Sequence, residues 1–283
     1  MNKKILLISI IFFFMGQSSA YSKIDIVEWK DLADKNISIE GMVALSLDSD
    51  LWRHAETAHF VYHFVEEKQA ETIYIHAELY YNWIKNFFDI KEDERPGKNH
   101  IFIFANRNMW DEFQKILGRP ESSQSLTNGW ELFMRHEPHW TYSEGGLAHE
   151  IAHITIFKFM EGPLPLFLNE GVAVFVSSCL MKEVLGQKGY RPALIPYLGE
   201  SEYIPLKEIS AMASYPEGRT NIFYREGDWF IRFLVTTYGN RQCYEFLLAV
   251  SRDGDFKGAM EKAYGIDFSA IEEQFKKYSV SGK

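Results

Sequence analysis

Residues Leu147 to Ile154, LAHEIAHI, place two histidines and a glutamate in a run that is otherwise aliphatic. Sealing a polar group in apolar surroundings without a partner costs roughly 2–7 kcal/mol. A chain that buries this segment must therefore bring partners to it, and the rest of the fold has to satisfy that demand. Helical spacing puts His149 and His153 on one face, one turn apart, where both imidazoles reach a common point.

That point suits a metal ion. Neutral imidazole is a good ligand for Zn2+, and a catalytic zinc takes three protein ligands and leaves a fourth position to water. His149 and His153 supply two ligands, while Glu150, next to the first histidine, would flank the water as a general base. The third ligand is expected from outside this helix. Glu170 lies in a second apolar run, PLFLNEGVAVFV, where a lone carboxylate is rarely tolerated, and it is assigned that place. Gly171 and Ala173 are small enough to let this second helix approach the first. Two alternatives stay open: core histidines bonded to backbone carbonyls, and a Glu170 stabilised at a helix N-terminus that Asn169 caps.

Around the two segments the chain reads as one catalytic-sized unit. Its 283 residues are 46% hydrophobic, enough for a substantial core, and show no internal repeat or long linker. Residues 1–20 read as an export signal: Lys3 and Lys4, an apolar run from Ile5 to Met15 too short to span a bilayer, then Ser18-Ser19-Ala20. The mature protein is expected to be periplasmic or extracellular, without stable membrane insertion. Cleavage removes two lysines and no acid, leaving the net charge of −9 two units more negative. Such a balance argues against nucleic acid as a partner. Cys179 and Cys243 allow a single pairing, and bridged and free forms are equally compatible with the sequence.

Patterning predicts an α+β chain. His59–Val65 and Lys98–Ala105 read as strands, Ala70–Phe88 as a helix, and Trp110–Leu117 as another. Asn128–Glu137 alternates apolar and charged positions as a half-exposed strand would; Trp130, Phe133 and Arg135 are candidates for lining a groove that holds an extended substrate, the alternative being an ordinary edge strand. Gly145-Gly146 separates this strand from the histidine helix, which Pro163 and Pro165 end near Glu161. Beyond lies an almost wholly helical half. Its last helix is expected to open at Ser269 with Glu272 in a capping box, after a stop at Gly265. This gives a mixed N-terminal lobe over about 21–162 and a helical C-terminal lobe over about 163–283. The remaining histidines show no ligand spacing; His59 and His63 are four apart, but on a strand, too far to share a metal.

His149-Glu150-x-x-His153 followed by Asn169-Glu170-Gly171-Val172-Ala173 resembles the gluzincin metallopeptidases, the thermolysin-like clan, and especially its compact peptidase-MA-like members. The resemblance runs from about Trp52 to the C-terminus and is concentrated in these two segments. It implies a thermolysin-like zincin fold with the site in a cleft between the lobes, one Zn2+ per chain, and a peptide or protein substrate. The aminopeptidase branch of that clan carries Tyr-x-x-Gly on a later helix, matched here by Tyr224 and Gly227, which implies that the Tyr224 hydroxyl stabilises the oxyanion. That branch also has a G-x-M-E-N segment, which grips the substrate's free amino terminus. This chain has TNGWELF instead, so the resemblance favours an endopeptidase. A zinc amidase acting on cell-wall peptide would share this machinery. A non-catalytic scaffold would have no use for Glu150.

Overall fold

The computed structural model describes residues 24–91, 97–119, 123–138, 145–183 and 198–281. The expected signal at 1–20 lies outside the described residues. Among those described, no helix is long and apolar enough to cross a membrane.

The chain is α+β, with one mixed six-stranded sheet. In chain order its elements are β1 (Ile26–Val27), α1 (Ile39–Ser46), β2 (Arg53–Glu56), β3 (Phe60–Phe64), α2 (Glu67–Phe87) and β4 (Asn99–Phe104). These lead to α3 (Arg107–Ile116), β5 (Ser125–Thr127) and β6 (Glu131–Arg135). The helical half holds α4 (Gly146–Phe159), α5 (Leu166–Glu183), α6 (Leu206–Ile209), α7 (Thr220–Tyr238), α8 (Asn240–Asp253), α9 (Phe256–Tyr264) and α10 (Phe268–Ser281). Strand order is β1-β2-β3-β4-β6-β5; β3, β4 and β6 run parallel, and the strands outside them are antiparallel.

Strand periodicity sorts the core. Phe60, Tyr62, Phe64, Ile101, Ile103, Leu132 and Met134 face α2 and α4 in a large apolar cluster that continues through the helical half to Phe275. Phe102, Phe104 and Phe133 face the other way, toward Trp52, Trp110 and Phe113. Covered on both faces, β4 is buried along its whole length, as central parallel strands are.

Several expectations change here. β6 is an interior strand between β4 and β5, not a half-exposed edge. Its Phe133 stacks on Phe102 with ring centroids 4.7 Å apart and lines no groove. Trp130 packs edge-on against Phe157 of α4, and Arg135 pairs with Glu137 at 3.0 Å. Charge at Glu131 suggested exposure, yet the residue is 2% exposed; it accepts hydrogen bonds from the Ser38 backbone at 2.7 Å and Asn128 Nδ2 at 2.7 Å. The true edge is β5. Ser269 lies inside α10, and Glu272 accepts from the Leu206 backbone at 2.6 Å instead of closing a capping box. Gly265 does end α9, in the left-handed conformation. Cys179 and Cys243 are not bridged to each other, and the second is buried.

The strands also align three buried histidines. His54 Nδ1 lies 2.9 Å from His63 Nδ1, His63 Nε2 lies 2.9 Å from His100 Nδ1, and His100 Nε2 lies 3.8 Å from Asp34 Oδ1. Burial pushes His63 well below the usual histidine range and His100 to about 4, the latter against the opposing pull of Asp34. Because the unfolded chain protonates these rings near pH 6.5 and the folded chain does not, stability is full above that pH and lost as pH falls toward 4. The thermal midpoint is expected to decline already between pH 6.5 and 5, above the carboxylate window. A flat midpoint there would contradict the neutral histidine row.

Candidate metal centre

Gly145 starts the site helix. Its φ of +75°, a region glycine adopts at little cost, turns the chain into α4, and His149 N donates to its carbonyl at 3.0 Å. The helix is buried on nearly every side between the sheet, α2 and α5, which is why its sequence is apolar all round. His149, Glu150 and His153 interrupt that surface where α5 crosses. The first hydrogen bonds of α5 run to the Pro165 carbonyl, from Leu168 at 2.9 Å and Asn169 at 3.0 Å. Asn169 therefore lies inside the first turn and is not the N-cap, which removes the capping alternative for Glu170.

Three atoms converge. His149 Nε2 and His153 Nε2 are 3.0 Å apart, and Glu170 Oε2 is 3.3 Å from the first and 3.5 Å from the second. His153 and Glu170 are buried and His149 is half-buried. The backbone-carbonyl alternative for the histidines gives way to this geometry, because both ε nitrogens point at each other and at the carboxylate. Ligands held about 2.0–2.1 Å from a zinc ion at tetrahedral angles stand about 3.3 Å from one another, so the triangle has the dimensions of a metal site. Glu170 Oε2 is also a buried oxygen without a hydrogen-bond partner. A native fold rarely leaves such an atom unsatisfied, and a cation at the centre of the triangle would satisfy it. Burial opposes ionisation of Glu170, but the adjacent His149 and His153 outweigh it and hold the carboxyl far below its usual range. His153 is raised in turn: burial acts against protonation, and Glu170, Glu150 and Asn169 more than offset it.

Glu150 stands outside the triangle. Its Oε1 accepts a hydrogen bond from Ser125 Oγ at 2.6 Å, so the sheet edge holds the carboxylate beside the site. The Tyr224 ring centroid lies 6.5 Å from that of His149, and burial followed by the nearby Glu170 charge pushes its hydroxyl up to about 12. It is a proton donor at neutral pH. The five residues assigned from the sequence to the metal centre, His149, Glu150, His153, Glu170 and Tyr224, are thus brought to one place.

Two others were not foreseen. Ser125 belongs to a three-residue strand with no periodicity to read. Tyr215 lies between α6 and α7; its hydroxyl donates to Glu170 Oε1 at 2.7 Å and its ring stacks on Tyr224 at 5.5 Å. Glu170 is 45 positions away in sequence, a separation no local pattern reveals.

Gly171 does not serve the approach of α5 to α4. It faces Gly227 of α7, where a Cβ at position 171 would lie 2.6 Å from the Gly227 carbonyl oxygen. The small residues after Glu170 and Tyr224 thus meet each other at a helix crossing. Compared with known proteins, the chain matches no family model, and no curated protein resembles it significantly.

Proposed function

We propose that this protein is an exported zinc-dependent peptidase of the gluzincin type with a thermolysin-like fold, cutting peptide or protein substrates as an endopeptidase. The observation that carries the reading is the Nε2–Nε2–Oε2 triangle with its unsatisfied buried oxygen, and a further carboxylate held beside it by a different element. A structural metal site is closed by four protein ligands, whereas three ligands with an acid nearby leave room for water. Export rests on residues 1–20.

His149, His153 and Glu170 would hold the ion, which when bound supplies Lewis acidity to the scissile carbonyl and to the attacking water. Glu150 takes the proton from that water and later gives it to the leaving amine. Ser125 holds Glu150 in place through Oε1, leaving its other oxygen free for the proton. Tyr224, kept protonated, donates to the oxyanion as it forms.

Metal analysis of the purified mature protein is expected to find close to one zinc per chain, lost in His149→Ala and in His153→Ala. Full occupancy in both variants would remove the site assignment. Turnover of a peptide library by the zinc-loaded protein, abolished by chelator and restored by zinc, tests the activity. A zinc-loaded protein that cleaves nothing in the library would refute the peptidase reading while leaving the metal centre intact.

A further inference from the structure

We propose that Tyr215 is a positioning residue of the metal centre, whose hydroxyl restrains Glu170 to a single donor oxygen. The inference rests on the metal reading above.

A carboxylate can engage a cation through one oxygen or both, and the choice sets how many coordination positions remain for water and substrate. Here the two oxygens of Glu170 have different surroundings. Oε2 is turned to the histidine nitrogens at 3.3 and 3.5 Å and has no hydrogen-bond donor. Oε1 accepts the Tyr215 hydroxyl at 2.7 Å. A donor on Oε1 draws that lone pair away from the ion and fixes the rotation of the carboxylate plane, so Oε2 alone is aimed inward.

The tyrosine is itself held. Its ring is stacked on Tyr224 at 5.5 Å with 22° between planes, and Phe223 meets it edge-on at 5.6 Å. Two aromatic contacts from consecutive residues of α7 fix the ring while 42% of the residue stays exposed. An exposed aromatic whose only polar atom points inward at a buried carboxylate is poorly explained by packing. A phenol also suits the task chemically, because it donates one hydrogen bond without adding a charge to a site that already carries Glu150 and Glu170. The stack passes on a second effect: whatever fixes Tyr215 also fixes Tyr224, so the Glu170 restraint and the oxyanion donor form one unit.

Tyr215→Phe keeps the ring and both aromatic contacts and removes only the hydroxyl, which donates to Glu170 and also meets the Tyr224 hydroxyl; at a half-exposed position the change does not threaten folding. Zinc affinity, measured by chelator competition, is expected to fall 10–100-fold, the usual effect of losing a partner behind a metal ligand. Cobalt-substituted protein gives the deciding readout. Wild type is expected to show the intense visible bands of a four-coordinate ion, and Tyr215→Phe the weaker bands of a five-coordinate one, as Glu170 closes through both oxygens. An unchanged cobalt spectrum in Tyr215→Phe overturns the inference, whatever the affinity does. A wild-type protein that takes up neither zinc nor cobalt overturns the metal reading and this inference with it, so the two failures are told apart by the wild type alone.

Discussion

Glu150→Gln is expected to bind zinc with wild-type stoichiometry and to turn over peptide 10²- to 10⁴-fold more slowly, the usual contribution of a positioned general base. The separation follows from where the side chain points. Glu150 is outside the set of three converging ligand atoms, and its Oε1 is held by Ser125 Oγ at 2.6 Å. A glutamine keeps an oxygen for that bond, so the side chain should stay in place and lose only its capacity to take a proton. Glu170→Gln is the opposite case. A neutral amide is a poorer ligand, and its loss of charge leaves the cation less compensated in a buried site, so zinc and activity should fall together. Equilibrium dialysis against zinc, run beside steady-state turnover, distinguishes them. Loss of zinc from Glu150→Gln, with zinc and activity both kept in Glu170→Gln, would reverse the assigned roles.

What could be read from the sequence, and what could not, follows physical lines. The histidine helix was legible because burial forbids titratable groups in such a helix unless they are paired, and the structure gives His149 and His153 a shared partner in Glu170. β3, β4 and α2 were legible for a similar reason: each is long enough for its period to show, and their observed bounds differ by a few residues at most from those the pattern predicts. β6 misled because Glu131 looks like a solvent-facing residue. Its charge is instead met by Ser38 and Asn128, and no local pattern announces a partner 93 positions away. β5 is too short to have a period at all. Tyr215 has neither a motif nor a periodic position, and its role comes from a loop that the tertiary fold brings to Glu170. The role of Gly171 was half-legible: a small residue implies close approach, but the sequence does not say to which helix.

That close approach gives the second large effect. Gly171→Ala is expected to destabilise the protein by about 1–3 kcal/mol and to weaken zinc binding, although glycine to alanine in a helix interior ordinarily gains up to about 1 kcal/mol. The new Cβ would lie 2.6 Å from the Gly227 carbonyl oxygen, 2.7 Å from its carbon and 2.9 Å from its Cα. All three are backbone atoms of α7, so no side chain can rotate out of the way and the helices must separate. Gly227→Ala meets the same crossing from the other side, 2.9 Å from Gly171 Cα and 2.9 Å from the Phe167 carbonyl oxygen. Moving α5 from α7 by even part of an ångström shifts Glu170, the neighbour of Gly171, against the histidines, and Tyr224, one turn before Gly227, against Glu170. Since packed interiors pass strain on instead of absorbing it, stability and metal affinity should fall together. For a chain of this size a loss of 1–3 kcal/mol lowers the thermal midpoint by roughly 2–12 °C, measured on metal-free protein so that zinc release does not contribute. A Gly171→Ala protein that melts higher than wild type would mean that helix propensity outweighs the contact, and that the two helices are not locked at this crossing.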